Sequence, residues 1–357
     1  MQTRTLGRTG LEVSVIGFGG IPIRRPPTAE AVELYRLGMD RGITYYDAAR
    51  AYVRCEERLG QAIEGRREEL VICSRDLSHA KEEMAAAIDR SLATLGTDYI
   101  DIYQCHELHQ QQDLEECLAP GGAFEALDEA RDGGKIRFIG MTSHNPEVVM
   151  SGLETGLMDV ILIMLNYVNR RMVEEVLPRA REDNIGVAVM KPLGGCLLAA
   201  HADLALRWVL SQEGVHTTIP GMWRRFEVEA NAMVGEDFEP LTAEEHTVLD
   251  EMRESKLPQY CRLCYRHHTC PKGVEISRLM IMDLLYQRHG IEEALERGWD
   301  RDLQRVEECF TCEMQEQCRA SCGFGIDIPA VLMGLHRQFY PALERARLQS
   351  AEQRGGC

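Results

Sequence analysis

Short apolar runs alternate with amphipathic segments about eight times in the first 240 or so residues, and this limits the fold of the 357-residue chain more than any other feature. Val13–Phe18, Thr44–Tyr46, Leu70–Ser74, Ile100–Gln104, Ile136–Gly140, Val160–Met164, Gly186–Met190 and Thr217–Ile219 read as strands. They are short, rich in Val, Ile and Thr, and bounded by turn residues. Helical patterns follow most of them, over Ala29–Asp40, Glu82–Leu95, Gly122–Asp132, Val173–Glu182 and Asp203–Ser211. Local signals agree: Asn145-Pro146-Glu147 reads as an N-cap, a first-turn proline and a first-turn acid. Gly42, Gly96 and Gly186 stand where helices should end in a left-handed residue. Eight strand–helix units predict an α/β chain closed as a parallel (β/α)8 barrel. A doubly wound sheet would bring a glycine-rich turn that opens a helix after its first strand. Gly17-Phe18-Gly19-Gly20 is followed by no helix start.

In such a barrel the chemistry collects at the C-terminal ends of the strands. Asp47 and Tyr52 follow the second strand, Arg75 the third and His106 the fourth. Ser143, His144 and Asn145 follow the fifth, Asn166 the sixth, Lys191-Pro192-Leu193-Gly194-Gly195 the seventh, and Met222-Trp223-Arg224-Arg225 the eighth. Each has an ordinary explanation alone: Asp47 as a helix cap, His106 as a rim histidine, Arg75 as a partner of Asp76, the arginine pair as a solvated helix start. An acid, a phenol, a cation and an imidazole at successive strand ends form a proton-transfer set.

Residues 3 to about 232 resemble the aldo-keto reductases. The matching stretches are Leu6-Gly7-Arg8-Thr9-Gly10-Leu11-Glu12-Val13-Ser14, Asp47-(x4)-Tyr52, Leu95-Gly96-Thr97-Asp98-Tyr99-Ile100-Asp101, Gly134-Lys135-Ile136-Arg137, Met190-Lys191-Pro192-Leu193-Gly194 and Ile219-Pro220-Gly221. The resemblance implies a barrel that reduces a small carbonyl compound with NADPH or NADH. Tyr52 would protonate the developing alkoxide and His106 would orient the carbonyl oxygen. Asp47 and a cation would depress the phenol's pKa. The nucleotide would lie along Ser143, Asn145, Lys191, Leu193, Arg224 and Asn231. The chain also departs from the pattern. Arg75 replaces a lysine and cannot release its proton. Val53 replaces a glycine, and Leu162 stands where a carboxamide-binding glutamine is expected. Met222-Trp223-Arg224-Arg225 replaces small hydroxyl residues. Glu227 and Ala230 replace a glutamine and a glutamate near the adenine, whereas Asn231 matches. Arg224 and Arg225 could grip a 2′-phosphate, which Glu227 would repel.

Composition shifts at Pro240, and Thr242-(x2)-Glu245 reads as a capping box opening a helix. Of 13 cysteines, seven crowd the last third: Cys261-x2-Cys264-x5-Cys270 and Cys309-x2-Cys312-x5-Cys318-x3-Cys322. Each group runs into a glycine turn, so the two form an internal repeat. The segment resembles a bacterial-type ferredoxin module with 4Fe–4S clusters, in which each cluster takes three cysteines from one group and one from the other. By that resemblance Cys261, Cys264 and Cys322 would share one cluster, and Cys309, Cys312, Cys318 and Cys270 the other. His267 stands where the first group lacks a cysteine. Structural zinc is the alternative that the Cys-x2-Cys pairs permit. The expected organisation is a barrel over residues 1–240, an iron–sulfur domain over 241–345 and a flexible tail over 346–357.

A net charge of −17 argues against nucleic acid and anionic membranes as partners. No apolar run reaches 18 residues, and the first residues lack a basic stretch followed by an apolar core, so neither a membrane span nor a signal peptide is expected. Clustered cysteines in such a chain point to the cytoplasm. Three functions follow. The first is a carbonyl reductase whose clusters are structural or exchange electrons with a redox partner protein. The second is an iron–sulfur enzyme whose barrel no longer uses nicotinamide, because hydride carries two electrons and a cluster moves one. The third is a non-catalytic electron carrier or redox sensor.

Overall fold

The computed structural model describes residues 1–256, 260–263, 270–282, 290–291, 294–295 and 298–355. Cys264 and His267 lie outside the described residues. The chain divides into two compact units, Met1–Gly194 with Leu198–Leu249, and Gly195–Leu197 with Asp250–Cys357.

In the first unit, β1 (Thr3–Thr5) and β2 (Glu12–Ser14) form an antiparallel hairpin. β3 (Phe18–Gly19), β4 (Tyr45–Asp47), β5 (Val71–Asp76), β6 (Ile100–Cys105), β7 (Ile136–Ser143), β8 (Val160–Met164), β9 (Gly186–Met190) and β10 (Thr217–Thr218) pair in parallel, each with its neighbour in sequence. Parallel bridges Ile16↔Thr218 and Gly19↔Gly221 close the last strand on the first. The helices of this unit are α1 (Thr28–Asp40), α2 (Cys55–Ala62), α3 (Lys81–Leu95), α4 (Gln111–Leu118), α5 (Ala123–Asp132), α6 (Pro146–Glu154), α7 (Arg171–Glu175), α8 (Leu177–Glu182), α9 (Ala202–Leu210), α10 (Arg225–Glu236) and the first part of α11 (Ala243–Lys256). The eight-stranded parallel barrel is the one the alternation predicts.

Four details differ from the sequence reading. Val13–Phe18 is not one strand, because its first residues serve the hairpin, Ile16 makes a single bridge to Thr218, and Phe18 opens β3. Two charged helices, α2 and α4, fill connections to which the sequence reading assigned no element. The Val173–Glu182 helix is two, since Pro178 stands in the first turn of α8 and cannot continue α7. Gly42 and Gly96 are left-handed as expected, but Gly186 opens β9 with no positive φ. A Cβ on Gly186 would stand 2.8 Å from Leu6 Cγ, so close packing demands the glycine there.

Side chains alternate across a strand, so the inward set is read two residues at a time. Tyr45, Val71, Cys73, Ile102, Val160, Leu162 and Ala188 share one cluster with Leu6, Leu11 and Val13 of the hairpin region, which fill the N-terminal end of the barrel. Two residues further along the same strands are Asp47, Arg75, Gln104, Met164 and Met190. Periodicity thus delivers an acid and a cation to the C-terminal mouth. It also corrects one expectation: Leu162 belongs to the interior cluster, and Met164 is the β8 residue at the mouth.

The second unit buries Val274, Ile276, Leu279, Trp299, Leu303 and Leu332 in its own core. Its longest helix runs Ile328–Gly355, beyond residue 346, where a flexible tail was expected. The sequence after Pro341 is almost wholly Ala, Leu, Glu, Gln and Arg, all strong helix formers. The border between the units falls inside α11, later than Pro240, because the Thr242–Glu245 capping box carries the helix across it. Among the described residues no helix is long and apolar enough to cross a membrane.

Candidate active site

Asp47, Arg75 and Gln104 meet at the mouth. Arg75 Nη2 donates to Asp47 Oδ2, and Nη1 donates to Gln104 Oε1 at 3.1 Å. Arg75 is 1% exposed and Asp47 3%. Burial works against the guanidinium's charge, but Asp47 and the Tyr52 phenol outweigh it and hold its pKa above the ordinary value. Burial pushes the Asp47 carboxyl up, and Arg75 only partly restores it. Gly140 makes room for this network, since a Cβ there would stand 3.0 Å from Gln104 Nε2.

Tyr52 lies above the pair. The Arg75 guanidinium carbon is 5.6 Å from the phenol ring centre. His106 meets the same ring edge-on, centroids 5.9 Å apart and planes at 81°. Burial of the phenol raises its pKa, and Arg75 opposes the rise without cancelling it. The expected depression by the cation is therefore present but outweighed. Burial, then Arg75, His109 and Lys191, push His106 well below the ordinary imidazole range, so its ring is neutral. Val53 is accommodated because the left-handed residue of this turn is Arg54, with φ 57°.

The remaining expected residues divide. Ser143 Oγ accepts from the Asn145 backbone N–H at 3.0 Å. Asn145 caps α6, accepting from Glu147 N at 3.3 Å, while its amide donates to His109 O at 3.1 Å. Lys191 is left-handed, φ 53°, and its Nζ reaches His144 Nε2 at 2.7 Å. Leu193 is half-buried on the loop after β9, and Asn231 is buried on α10. Arg224 opens α10 and stacks on Trp223 at 4.1 Å, and Arg25 covers the same indole at 4.8 Å. Glu227 accepts from the backbone N–H groups of Trp223 and Arg224, at 2.8 and 3.1 Å, so its charge is spent on a helix cap. Arg225 pairs with Glu229.

Gln104 and His109 escaped the sequence reading. A signal existed for Gln104, a polar residue at an inward position two beyond Ile102. For His109, on an aperiodic loop, there was none.

In the second unit, Cys270, Cys309, Cys312 and Cys318 line one cavity, and Cys261 and Cys322 line another beside Phe324. Burial, then the neighbouring Cys270, Cys312 and Cys318, push the Cys309 thiol up to about 11. Burial, then Cys270 and Cys312, also raise the Cys318 thiol, and thiols crowded in this way ionise together only around a cationic centre. Among the described residues no three His, Cys, Asp or Glu side chains close around a single-ion position.

A closed parallel barrel with an acid, a cation, a phenol and an imidazole at its strand ends defines a barrel oxidoreductase. The model of the aldo/keto reductase family matches residues 15–203, more than half the chain, and the chain belongs to this family of oxidoreductase enzymes. It is 28% identical to L-galactose dehydrogenase of Arabidopsis thaliana over 297 residues, 70% of this chain and 92% of that one. The holo form of an aldo-keto reductase from Bacillus halodurans superimposes with a TM-score of 0.63 at 26% identity, covering 71% of this chain and 96% of that one. An aldo-keto reductase from Klebsiella pneumoniae in complex with NADPH gives 0.61 at 24% identity, over 71% and 96% of the two chains, a likeness of fold.

Proposed function

We propose that the barrel reduces a small carbonyl compound with NADPH, or with NADH, and that Tyr52, His106, Asp47 and Arg75 carry the reaction. The observation behind this is the meeting of Tyr52 with a neutral His106 and a buried Asp47–Arg75 pair at the ends of β4, β5 and β6. Bound nicotinamide supplies a hydride to the carbonyl carbon. The chain's own part is the proton: Tyr52 gives its phenolic hydrogen to the oxygen, and Arg75 holds the resulting phenolate. A neutral His106 can donate a hydrogen bond to that oxygen. Arg75 never gives up a proton, so the phenol is recharged from solvent rather than through the ion pair. Gln104 fixes the guanidinium by its 3.1 Å contact. The NADPH complex of the Klebsiella relative supports the choice of nucleotide. Arg224 and Arg25, stacked on Trp223, suit its anionic end.

The cysteines fit 4Fe–4S clusters in the second unit. Four of them lining one cavity, with Cys261 and Cys322 on another, follows the cross-paired division of the two groups. A cluster of several atoms needs a wider cage than one ion, which suits thiols spread around a cavity. When bound, a cluster supplies one-electron chemistry or structural support. A redox partner protein and a cytoplasmic setting are part of this reading.

The test is anaerobic titration of the cluster-loaded protein with NADPH and NADH, followed by nicotinamide fluorescence. Micromolar binding weakened in Arg224→Ala is expected. Tyr52→Phe should still bind the nucleotide and lose about 10²–10⁴-fold in carbonyl reduction. Binding of neither nucleotide would overturn the reading.

A further inference from the structure

The mouth meets Tyr52 at its ring. The Arg75 guanidinium carbon lies 5.6 Å from the ring centre, and His106 approaches the ring edge-on at 5.9 Å. Contacts of this kind are broad in geometry, so the backbone that carries the phenol has to set its place. That backbone first extends the barrel's own ladder. Ala48 N donates to Cys73 O at 2.8 Å and Arg50 N to Arg75 O at 3.0 Å, so the chain beyond β4 still runs beside β5. It then turns. Tyr52 N donates to Ala49 O and Cys55 N to Tyr52 O, both at 3.0 Å, and Arg54 is left-handed just before α2.

An ion pair straddles this turn. Arg50 Nη1 donates to Glu56 Oε2 at 2.6 Å, so the pair closes the segment 50–56 with Tyr52 inside it. Glu56 is 3% exposed, and its other oxygen, Oε1, accepts from Ser74 Oγ at 2.7 Å. Ser74 is buried on β5, one residue before Arg75. Alternation along β5 separates the two: Arg75 enters the mouth, and Ser74 turns to α2 on the outside of the barrel. Arg50 Nη1 also donates to Thr94 Oγ1 on α3 at 3.3 Å. Both carboxylate oxygens are thus committed, one to the segment that carries the phenol and one to the strand that carries the cation. Glu56 stands in the first turn of α2, where the helix's free N–H groups favour a negative charge. A buried ion pair is a weak source of stability, because desolvation of the charges offsets most of their attraction. What this one supplies is geometry.

We propose that Glu56 is a positioning residue for the carbonyl reduction: clasping Arg50 on one side and Ser74 on the other, it holds the Tyr52 phenol in register with the Asp47–Arg75 pair. The role rests on the reductase reading. Glu56 lies outside the mouth and acts through Tyr52. With the clasp open, the backbone bond from Arg50 to Arg75 is the last tie between the turn and β5, and the phenol drifts from the oxygen it protonates. A misplacement of about 1 Å in such a group costs about 100-fold in rate.

Two arms test it on the cluster-loaded full chain. In the first, NADPH-dependent reduction of 4-nitrobenzaldehyde and of methylglyoxal is measured. Glu56→Ala should lower kcat by about 10–100-fold, with KM and NADPH affinity within about twofold of the parent. Glu56→Gln, which still accepts one of the two hydrogen bonds, should recover part of the loss, and Arg50→Met should lose activity as Glu56→Ala does. The deciding comparison is the Tyr52→Phe background, where Glu56→Ala should cost nothing further because no phenolic proton is left to place. An equal loss in both backgrounds, an unchanged kcat, or a loss carried by KM or NADPH affinity overturns the proposal. In the second arm, amide hydrogen exchange is followed over residues 48–55. Glu56→Ala and Arg50→Met should both speed it, and unchanged exchange in both overturns the clasp even where Glu56→Ala is inactive. A wild-type chain that turns over neither carbonyl strikes the reductase reading, and exchange still decides whether Glu56 holds the turn.

Discussion

Three imidazoles, His106, His109 and His144, are buried beside Arg75 and Lys191, and the cost of charging them should be visible in the protein's stability. Each folded pKa lies below the unfolded value, which is about 6.5. The unfolded chain therefore takes up protons first as pH falls. The stability is full above about pH 6.5 and is lost on the way down towards the folded values, about 3 for His109. Each ring that stays neutral contributes a slope of about 1.4 kcal/mol per pH unit, so the three together reach about 4. Urea unfolding between pH 7.5 and pH 5 should show this decline, with a shallower slope in His109→Phe. Identical slopes in the two proteins would remove the cluster as its source. At this scale the sequence disclosed Asp47, Tyr52, Arg75 and His106, because each follows a recognisable strand. It disclosed less of how they interact. Spacing alone cannot show that burial would outweigh Arg75 at the Tyr52 phenol, whereas the helix cap that occupies Asn145 is legible in Asn145-Pro146-Glu147.

At the scale of elements, the barrel depends on what fills its closed end. Leu6, Leu11 and Val13 enter the cluster formed by inward residues of the strands, and β9 can begin where it does only because Gly186 lacks a Cβ. Gly186→Ala would drive a methyl against Leu6, an overpacking that costs about 1–3 kcal/mol. Leu6→Ala would leave a cavity and cost about 2–5 kcal/mol. Together they should destabilise less than the sum of the two, since the smaller Leu6 side chain admits the new methyl. Chemical denaturation of the four proteins measures the coupling, and strict additivity would mean that the two residues do not share this contact. The strands Val160–Met164 and Gly186–Met190 could be read from sequence to the residue, because a fully buried parallel strand is an unbroken apolar run. The hairpin could not. Val13 to Phe18 is apolar apart from Ser14 and Gly17, and the tertiary pairing of its first residues with Thr3–Thr5 splits it. The charged helices α2 and α4 lack a wide apolar stripe, and only packing against neighbours defines them.

At the scale of the whole molecule, the clusters proposed for the second compact unit make a forecast of metal content. The cavities divide the cysteines as the cross-pairing implies and not as the two sequence groups do: Cys270 with Cys309, Cys312 and Cys318, and Cys261 with Cys322. Two cubanes would load about eight irons per chain on anaerobic reconstitution with iron and sulfide, and one would load about four. The cross-pairing makes a sharper forecast. Cys318→Ser and Cys270→Ser, from different groups in the sequence, should remove the same share of the iron, and their combination should remove no more. Cys318→Ser with Cys322→Ser, neighbours in one group, should be additive. Iron analysis with electron paramagnetic resonance of the dithionite-reduced proteins reads both comparisons. If losses instead follow the sequence groups, so that Cys318 and Cys322 act as one, the cavities do not mark the ligand sets. Stoichiometric zinc with no iron-dependent absorbance would replace the clusters with structural metal and leave the barrel chemistry standing, because Tyr52, His106 and the Asp47–Arg75 pair all lie within the first unit.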